Sequence, residues 1–204
     1  LLPSFRPFYG KKEGQEKALL KCTVCTSVEN KAAMPSGELI ENTLSDMGYV
    51  SLYKEAEGYC VTLSAEQGGT LHVMQTDRRF STVRVYLHEE DKRAGHALSS
   101  LLRIAYSQAV LYWDAVSIHA SAVYCENKAF LFMGKSGTGK STHSSLWMKY
   151  IQGTELLNDD NPTLRIVDGK VYAYGTPWSG KTPCYKSLSY PVGGMVRLKQ
   201  APAN

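Results

Sequence analysis

The sequence predicts an α/β chain of the α+β kind, with a smaller antiparallel β-rich domain over residues 1–92 and an α/β domain over residues 93–204. Three observations predict it. Short runs rich in β-branched and aromatic residues, separated by turn material, fill the first ninety residues. Apolar residues take up helical spacing only from residue 93. After Val116 strand-like runs return around one further helix, which follows a glycine-rich stretch.

In the first domain the β-rich runs are ALLKCTVCTSV, YVSLYK, YCVTLSA, TLHVMQT and STVRVYLH. EAEG at 55–58, EQGG at 66–69 and TDRRF at 76–80 supply turns, a spacing that suits a meander or small sandwich. Residues 93–113 carry apolar side chains at Ala97, Leu101, Leu102, Ile104, Ala105, Ala109, Leu111 and Tyr112, the pattern of one broad buried helix face. His96 falls at the start or surface of that helix. AVSIHASAVY and KAFLFMG follow as two strands joined by Cys125-Glu126-Asn127. Residues 141–151 read as a helix with Leu146, Trp147, Tyr150 and Ile151 on its inward face. GTELL, TLRIV and KVYAY are further short strands, and Met195–Leu198 begins another.

A chain of 204 residues buries about 70% of its unfolded surface if it folds as one body. Hydrophobic residues at 43% and charged residues at 21% belong to an ordinary globular composition. The net charge of +4, with no run of five basic residues, argues against nucleic acid as a partner. No apolar stretch approaches the length of a membrane span, and LLPSFRPFYG lacks the layout of a signal peptide. The missing initiator Met and the end at RLKQAPAN, just past an apolar run, lead us to expect a processed or truncated chain. Cys22 and Cys25 form a C-x-x-C without the second pair that zinc needs, and on a strand a separation of three puts them on opposite faces. Five scattered cysteines therefore read as free thiols in a reducing cytoplasm.

GKSGTGKST, residues 134–142, fits the pattern G-x-x-x-x-G-K-[ST] at Gly134, Gly139, Lys140 and Ser141. Its context is the required one, with KAFLFM as a strand before it and STHSSLWMKYI as a helix after it. Glycines let consecutive N–H groups turn inward as an anion nest at the positive end of the helix. In such a loop Lys140 reaches the β- and γ-phosphates and the Ser141 hydroxyl ligates Mg²⁺. The candidate nucleotide-binding residues are Gly134, Lys135, Ser136, Gly137, Thr138, Gly139, Lys140, Ser141 and Thr142.

SIHAS lies upstream of the loop, and a two-residue turn at Glu126-Asn127 would bring it back. With Cys125 opposite Lys128, stepping outward pairs His119 with Gly134, so an imidazole arrives at the mouth of the loop. Nothing comparable singles out His72, His88 or His143, which read as satisfied core or edge residues.

GTELLNDDNP places Asp159 and Asp160 after a short apolar run. A metal–nucleotide site needs a carboxylate at a strand end, and transfer to a hydroxyl needs a base within reach of the acceptor. Neighbours on a strand face opposite ways, so one acid toward the metal and one elsewhere is the simplest geometry. YGTPWSGKTP, residues 174–183, carries Trp178 and Lys181 among Gly and Pro, a rigid loop that could cover a substrate or an ordinary connector.

Taken together, HASAV at 119–123, SGTGKST at 136–142 and LLNDDNP at 156–162 resemble the core shared by HPr kinase/phosphorylase and phosphoenolpyruvate carboxykinase. The chain is more closely similar to bacterial HPr-kinase-related proteins, over roughly residues 95–200. The resemblance implies a mixed-sheet P-loop kinase core, ATP or a related nucleotide, and Mg²⁺ at Ser141, Asp159 and Asp160. It implies Lys140 on the transferring charge, Asp159 as metal-linked acid or catalytic base, Asp160 as its companion, and His119 beside metal or acceptor. Two features depart from it. Residues 94–118 hold Arg103 but no Lys where carboxykinases have a metal-ligating Lys, and the chain stops before the C-terminal elements of HPr kinase. The function expected is phosphate transfer from ATP to a hydroxyl of an unknown small molecule or protein. A carboxykinase-like reaction and a nucleotide-binding regulatory module of weak catalysis are the alternatives, with self-association left open.

Overall fold

The computed structural model describes residues 2–10, 18–26 and 34–200; Ser27 and Val28, at the end of ALLKCTVCTSV, and the terminal APAN lie outside them. The chain divides into two compact units, Gly14–Trp113, and Leu1–Glu13 together with Asp114–Asn204. The division falls after Trp113 rather than after residue 92. Packing is the reason, because the helix that follows residue 93 buries its apolar stripe on the first sheet.

That sheet contains β1 (Lys21–Thr26), β2 (Glu38–Ser45), β3 (Gly48–Lys54), β4 (Gly58–Ser64), β5 (His72–Asp77) and β6 (Thr82–Leu87). Its order is β1-β6-β5-β4-β3-β2, an antiparallel meander from β2 to β6 with β1 added parallel to β6. The expected meander is present, with one strand more than the sequence reading anticipated. β2 was missed because seven of its eight residues are exposed, so no alternation of polar and apolar side chains announces it. It joins through backbone pairing to β3.

Helix α1 (Ala94–Ala109) places Ala97, Leu101, Ala105 and Ala109 at four-residue steps against Val61, Leu63, Met74, Val83 and Val85. A 3-10 turn over Val110–Trp113 ends it, and this turn carries Leu111 and Tyr112 outward instead of along the buried face. His72 is a satisfied core histidine: its Nδ1 accepts the His88 backbone N–H at 3.4 Å and its Nε2 lies 3.0 Å from Asp91 Oδ2. Cys22 stands level with Val83 and packs into this core, whereas Cys25 stands level with Tyr86, and none of the five cysteines forms a disulfide.

The second unit is built on β7 (Ala115–Ser117), β8 (Ala120–Cys125), β9 (Lys128–Met133), β10 (Glu155–Asn158), β11 (Thr163–Val167), β12 (Lys170–Tyr174) and β13 (Ser189–Arg197). They form one mixed sheet in the order β10-β8-β9-β13-β12-β11-β7. AVSIHASAVY is thus two strands, broken at Ile118–His119, and β7 pairs with β11 at the far edge. β13 starts six residues before Met195, at Ser189; its first part runs antiparallel to β12 and its second part parallel to β9.

Alternation on β8 and β9 separates two cores. Ala120, Ala122, Ala129 and Leu131 pack with Leu157, Leu164 and Ala173 on one face, while Val123 and Phe132 meet Leu156 and Trp147 on the other. Helix α2 (Lys140–Tyr150) covers the second face. Its buried residues are Lys140 and Ser144, with the His143 and Trp147 rings against Phe132. Of the expected inward residues only Trp147 holds that place; Leu146, Tyr150 and Ile151 are exposed. Apolarity misleads here because polar groups occupy the sheet-facing positions. No described helix is long and apolar enough to cross a membrane.

Leu101→Ala should cost the first unit about 2–5 kcal/mol in denaturant unfolding, whereas Leu44→Ala on exposed β2 should change it by less than about 0.5 kcal/mol. The Cys60 thiol is fully buried, and burial, then the Glu55 charge, pushes its pKa up to about 12. It should stay unreactive to a thiol reagent at about pH 8 and react when denaturant is added.

Candidate functional site

The turn between β8 and β9 sets the site's geometry. Glu126 and Asn127 both have positive φ, 49° and 58°, as a two-residue hairpin turn of the I′ kind requires. The ladder then runs from Cys125 opposite Lys128 to Ala120 opposite Met133. The ladder stops there: His119 and Gly134 are the next residue on either side, His119 in a bend and Gly134 in the loop, and the expected pair between them is not part of it. On its other side the same segment is tied to the acidic turn: the Ile118 N–H donates to the Pro162 carbonyl at 3.0 Å and the Ala120 N–H to the Asp160 carbonyl at 3.1 Å. His119 is therefore held beside the acidic turn. Its Nε2 lies 3.7 Å from Asp160 Oδ1, and the ring is 57% exposed.

The loop itself links β9 to α2. Gly137 and Gly139 lie in the left-handed region, at φ 81° and 95°, where a side chain would be strained. Gly139 is the N-cap of α2 and brings no side chain to cap it, nor does an acid stand in the first turn. The positive end of the helix therefore has no carboxylate of its own helix to balance it. The Lys140 ammonium folds back across the loop and donates to the carbonyls of Gly134 at 3.1 Å and Lys135 at 3.2 Å. Thr138 Oγ1 also donates to the Lys135 carbonyl, at 2.8 Å, and Gln200 Nε2 to the Gly137 carbonyl, at 3.0 Å. Lys135, Ser136, Gly137 and Thr142 are exposed, while Thr138, Gly139 and Ser141 are half-buried.

The two acids differ sharply in setting. Asp159 is 4% exposed, and both of its oxygens are engaged: Ser121 Oγ donates to Oδ1 at 2.9 Å and the Thr182 N–H to Oδ2 at 3.1 Å. Ser121 spends its one hydroxyl proton on the carboxylate, so the 2.6 Å contact between Ser144 and Ser121 must be donated by Ser144. A buried chain thus runs from Ser144 on α2 through Ser121 on β8 to Asp159. Asp160 points to the open side, with its side chain 24% exposed, next to His119.

Asn158 holds this turn together. Its Oδ1 accepts the N–H groups of Asp160 and Asn161 at 3.0 and 2.8 Å, and its Nδ2 donates to the carbonyls of Thr176 and Trp178 at 3.3 and 2.9 Å. The loop YGTPWSGKTP is consequently fastened to the acidic turn. Gly180 approaches so closely that a Cβ there would lie 2.9 Å from the Asp159 carbonyl oxygen. Trp178 is buried, edge-on to Phe5 at 5.5 Å between ring centroids, so its surface is taken up by the fold. Lys181 is exposed on the same loop. Cys184 anchors the loop's end by donating to the carbonyls of Leu156 and Leu157, and burial raises its thiol pKa.

Sequence reasoning passed over Ser121, Ser144, Asn158, Asn161 and Gln200. Ser121 and Asn158 stand inside HASAV and LLNDDNP, but their roles depend on partners far along the chain. Among the described residues no cluster of three or more His, Cys, Asp or Glu side chains is arranged to hold a metal. The residues expected to hold a metal, Ser141, Asp159 and Asp160, offer only oxygen donors, and both carboxylate oxygens of Asp159 already accept hydrogen bonds from the protein. Asn161 Nδ2 is buried beside the acids without a hydrogen-bond partner, a donor that an oxygen of water or ligand would satisfy.

No protein-family model matches the chain, and no curated protein matches it. Among solved structures it is similar to the HPr(Ser) kinase/phosphatase from Coxiella burnetii, at 15% identity and a TM-score of 0.33, over 43% of this chain and 67% of that one. So distant a likeness carries no functional weight.

Asn158→Ala would strand several buried partners, each worth about 1–3 kcal/mol when left unpaired. We expect a loss of at least that size in denaturant unfolding, and faster proteolysis within residues 176–184.

Proposed function

We propose that this chain binds a Mg-nucleotide at residues 134–142 and transfers the terminal phosphate of ATP to a hydroxyl acceptor. The observation that carries this reading is the strand–loop–helix over 128–150, whose Lys140 ammonium lies across the loop and whose helix is hydrogen-bonded through Ser144 and Ser121 to buried Asp159. Anion nests of this kind are satisfied by phosphate oxygens, and Lys140 would exchange its two carbonyls for them.

Phosphoryl transfer asks the protein mainly for positioning and charge stabilisation. Lys140 neutralises charge on the transferring group, and the loop N–H groups hold it in line. Mg²⁺ at the Ser141 hydroxyl and the Asp159 carboxylate would supply further neutralisation of the β- and γ-oxygens. With Asp159 on the metal, the acceptor's proton would pass to a carboxylate oxygen of Asp160, which stands with His119 on the side that solvent reaches. Lys181 on the neighbouring loop is the cation available to an acceptor. A second reading, a nucleotide-binding regulatory module with negligible turnover, is favoured by Asp159 having both oxygens committed to protein donors.

Calorimetry with Mg-ATP and a screen of small-molecule and protein acceptors with labelled ATP test both. Lys140→Ala should abolish nucleotide binding, and an unchanged affinity would remove the proposal. Asp159→Asn and Asp160→Asn should keep binding and lower transfer by about 100-fold or more. Wild-type transfer in either variant removes that acid from the chemistry. Tight binding without transfer to any acceptor favours the regulatory module.

A further inference from the structure

The first unit contains a cavity of about 470 Å³ that the phosphate chemistry does not use. It lies where α1 packs on β4, β5 and β6 while β2, at the edge of the sheet, stays exposed. Leu52 on β3 and Tyr59 on β4 form its floor, and Ile104 on α1 with Tyr112 just beyond it form the opposite wall.

Two local distortions shape this space. Tyr53 faces Leu39 and Leu52 faces Glu41, so Ile40 is an extra residue, a β-bulge. At this bulge Ile40 lines the cavity while staying half exposed, as Leu39 beside it is. At the β5–β6 turn Phe80 has φ 56°, a conformation that a bulky residue rarely adopts. Asp77 imposes it by accepting the N–H groups of Arg79 and Ser81 at 3.2 and 2.8 Å, together with the Ser81 hydroxyl. Held in this way, Phe80 stacks on Tyr59, with centroids 5.5 Å apart and planes 20° from parallel. Strained conformations of this sort persist where surrounding bonds over-determine them, and they cluster at ligand clamps.

The same turn presents Arg78, the one formally charged side chain in the lining. Its Nη2 donates to the Ala56 carbonyl at 2.8 Å, which fixes the guanidinium at the rim. An open apolar cleft within the volume range of small-molecule sites, lined by aromatic rings and with Arg78 as the one charge in its lining, suits one ligand chemistry. A phosphate-rich ligand would need several cations, and a neutral hydrocarbon would leave the guanidinium unused.

We infer that this cavity binds a small monocarboxylate with an apolar, aryl or branched-alkyl body, the body lying between Ile40, Leu52, Tyr59 and Ile104 and the carboxylate on Arg78. The site lies wholly within the first unit, so it adds a ligand-sensing role independent of the proposed transfer chemistry.

The test is calorimetric titration of the full chain with 4-phenylbutyrate and with its neutral counterpart 4-phenyl-1-butanol. Saturable one-to-one binding of the acid, about tenfold tighter than the alcohol, is expected. Arg78→Gln should bring the two within about twofold of each other, since the charged hydrogen bond is what separates them. Ile104→Trp, which fills the cavity, should lose both, and NOEs from the probe's ring to the methyls of Ile40 and Ile104 in the wild type locate the contact independently of that variant's folding. Lys140→Ala should leave binding unchanged. Absence of saturable heat, equal affinity for acid and alcohol in the wild type, NOEs to other residues, or loss of binding in Lys140→Ala would each overturn the inference.

Discussion

The two-sided pairing of β8 is the constraint on which the second unit depends. β8 runs antiparallel to β9 on one side and to β10 on the other, so the C-terminal ends of β9 and β10 emerge at the same end of the sheet. The glycine-rich loop continues from β9 and the acidic turn continues from β10. Residues distant in sequence meet there because their strands share one central neighbour. His119 precedes β8 and stands beside the acidic turn for the same reason. A slip of one residue in the β8–β9 register would send Ser121 to the opposite face and break its bond to Asp159. The Glu126-Asn127 turn, with both residues at positive φ, guards against that slip.

Burial of Asp159 follows from this arrangement and makes its own demand. A carboxylate removed from water is tolerated only where donors replace the lost solvent. Ser121 and the Thr182 N–H provide them, and each comes from a separately anchored segment. The Ser144–Ser121–Asp159 chain also explains the composition of α2. A serine sits at the centre of its buried face, and Lys140 occupies the place one turn before. Helix, central strand and acidic turn are thereby joined by polar contacts in a region that apolar packing alone would have left free to slide. Networks of this kind rigidify when every member is satisfied.

Legibility in the sequence followed the range of the determinants. The hairpin register could be read because a two-residue polar turn between apolar runs leaves few alternatives. The glycine-rich loop could be read because strand, loop and helix are contiguous. β2 could not, since an exposed edge strand takes its structure from its neighbour's backbone. The inward face of α2 was misjudged because its core-facing positions are polar for reasons lying at Asp159, fifteen or more residues away. The division after Trp113 was hidden as well. Helical spacing shows that a residue is buried and is silent on which sheet buries it. Phe5 packing on Trp178 is the extreme case, an N-terminal segment completing a C-terminal unit.

The contrast extends to the two candidate ligand sites. An anion nest is made of backbone N–H groups, so its specification is compressed into nine consecutive residues and survives any change of context. A cavity for an apolar acid is made of side chains, and its wall residues are scattered from Ile40 to Tyr112. Ile40, Leu52, Tyr59, Phe80 and Ile104 are unremarkable one by one, and each has an ordinary reading as core. Only the bulge at Ile40, the strained backbone at Phe80 and the half-covered sheet set them apart, and all three are properties of the folded chain. A site of the first kind announces its ligand and leaves its reaction open. One of the second kind stays silent until the fold is known, and then its single charge and its shape argue for the ligand directly.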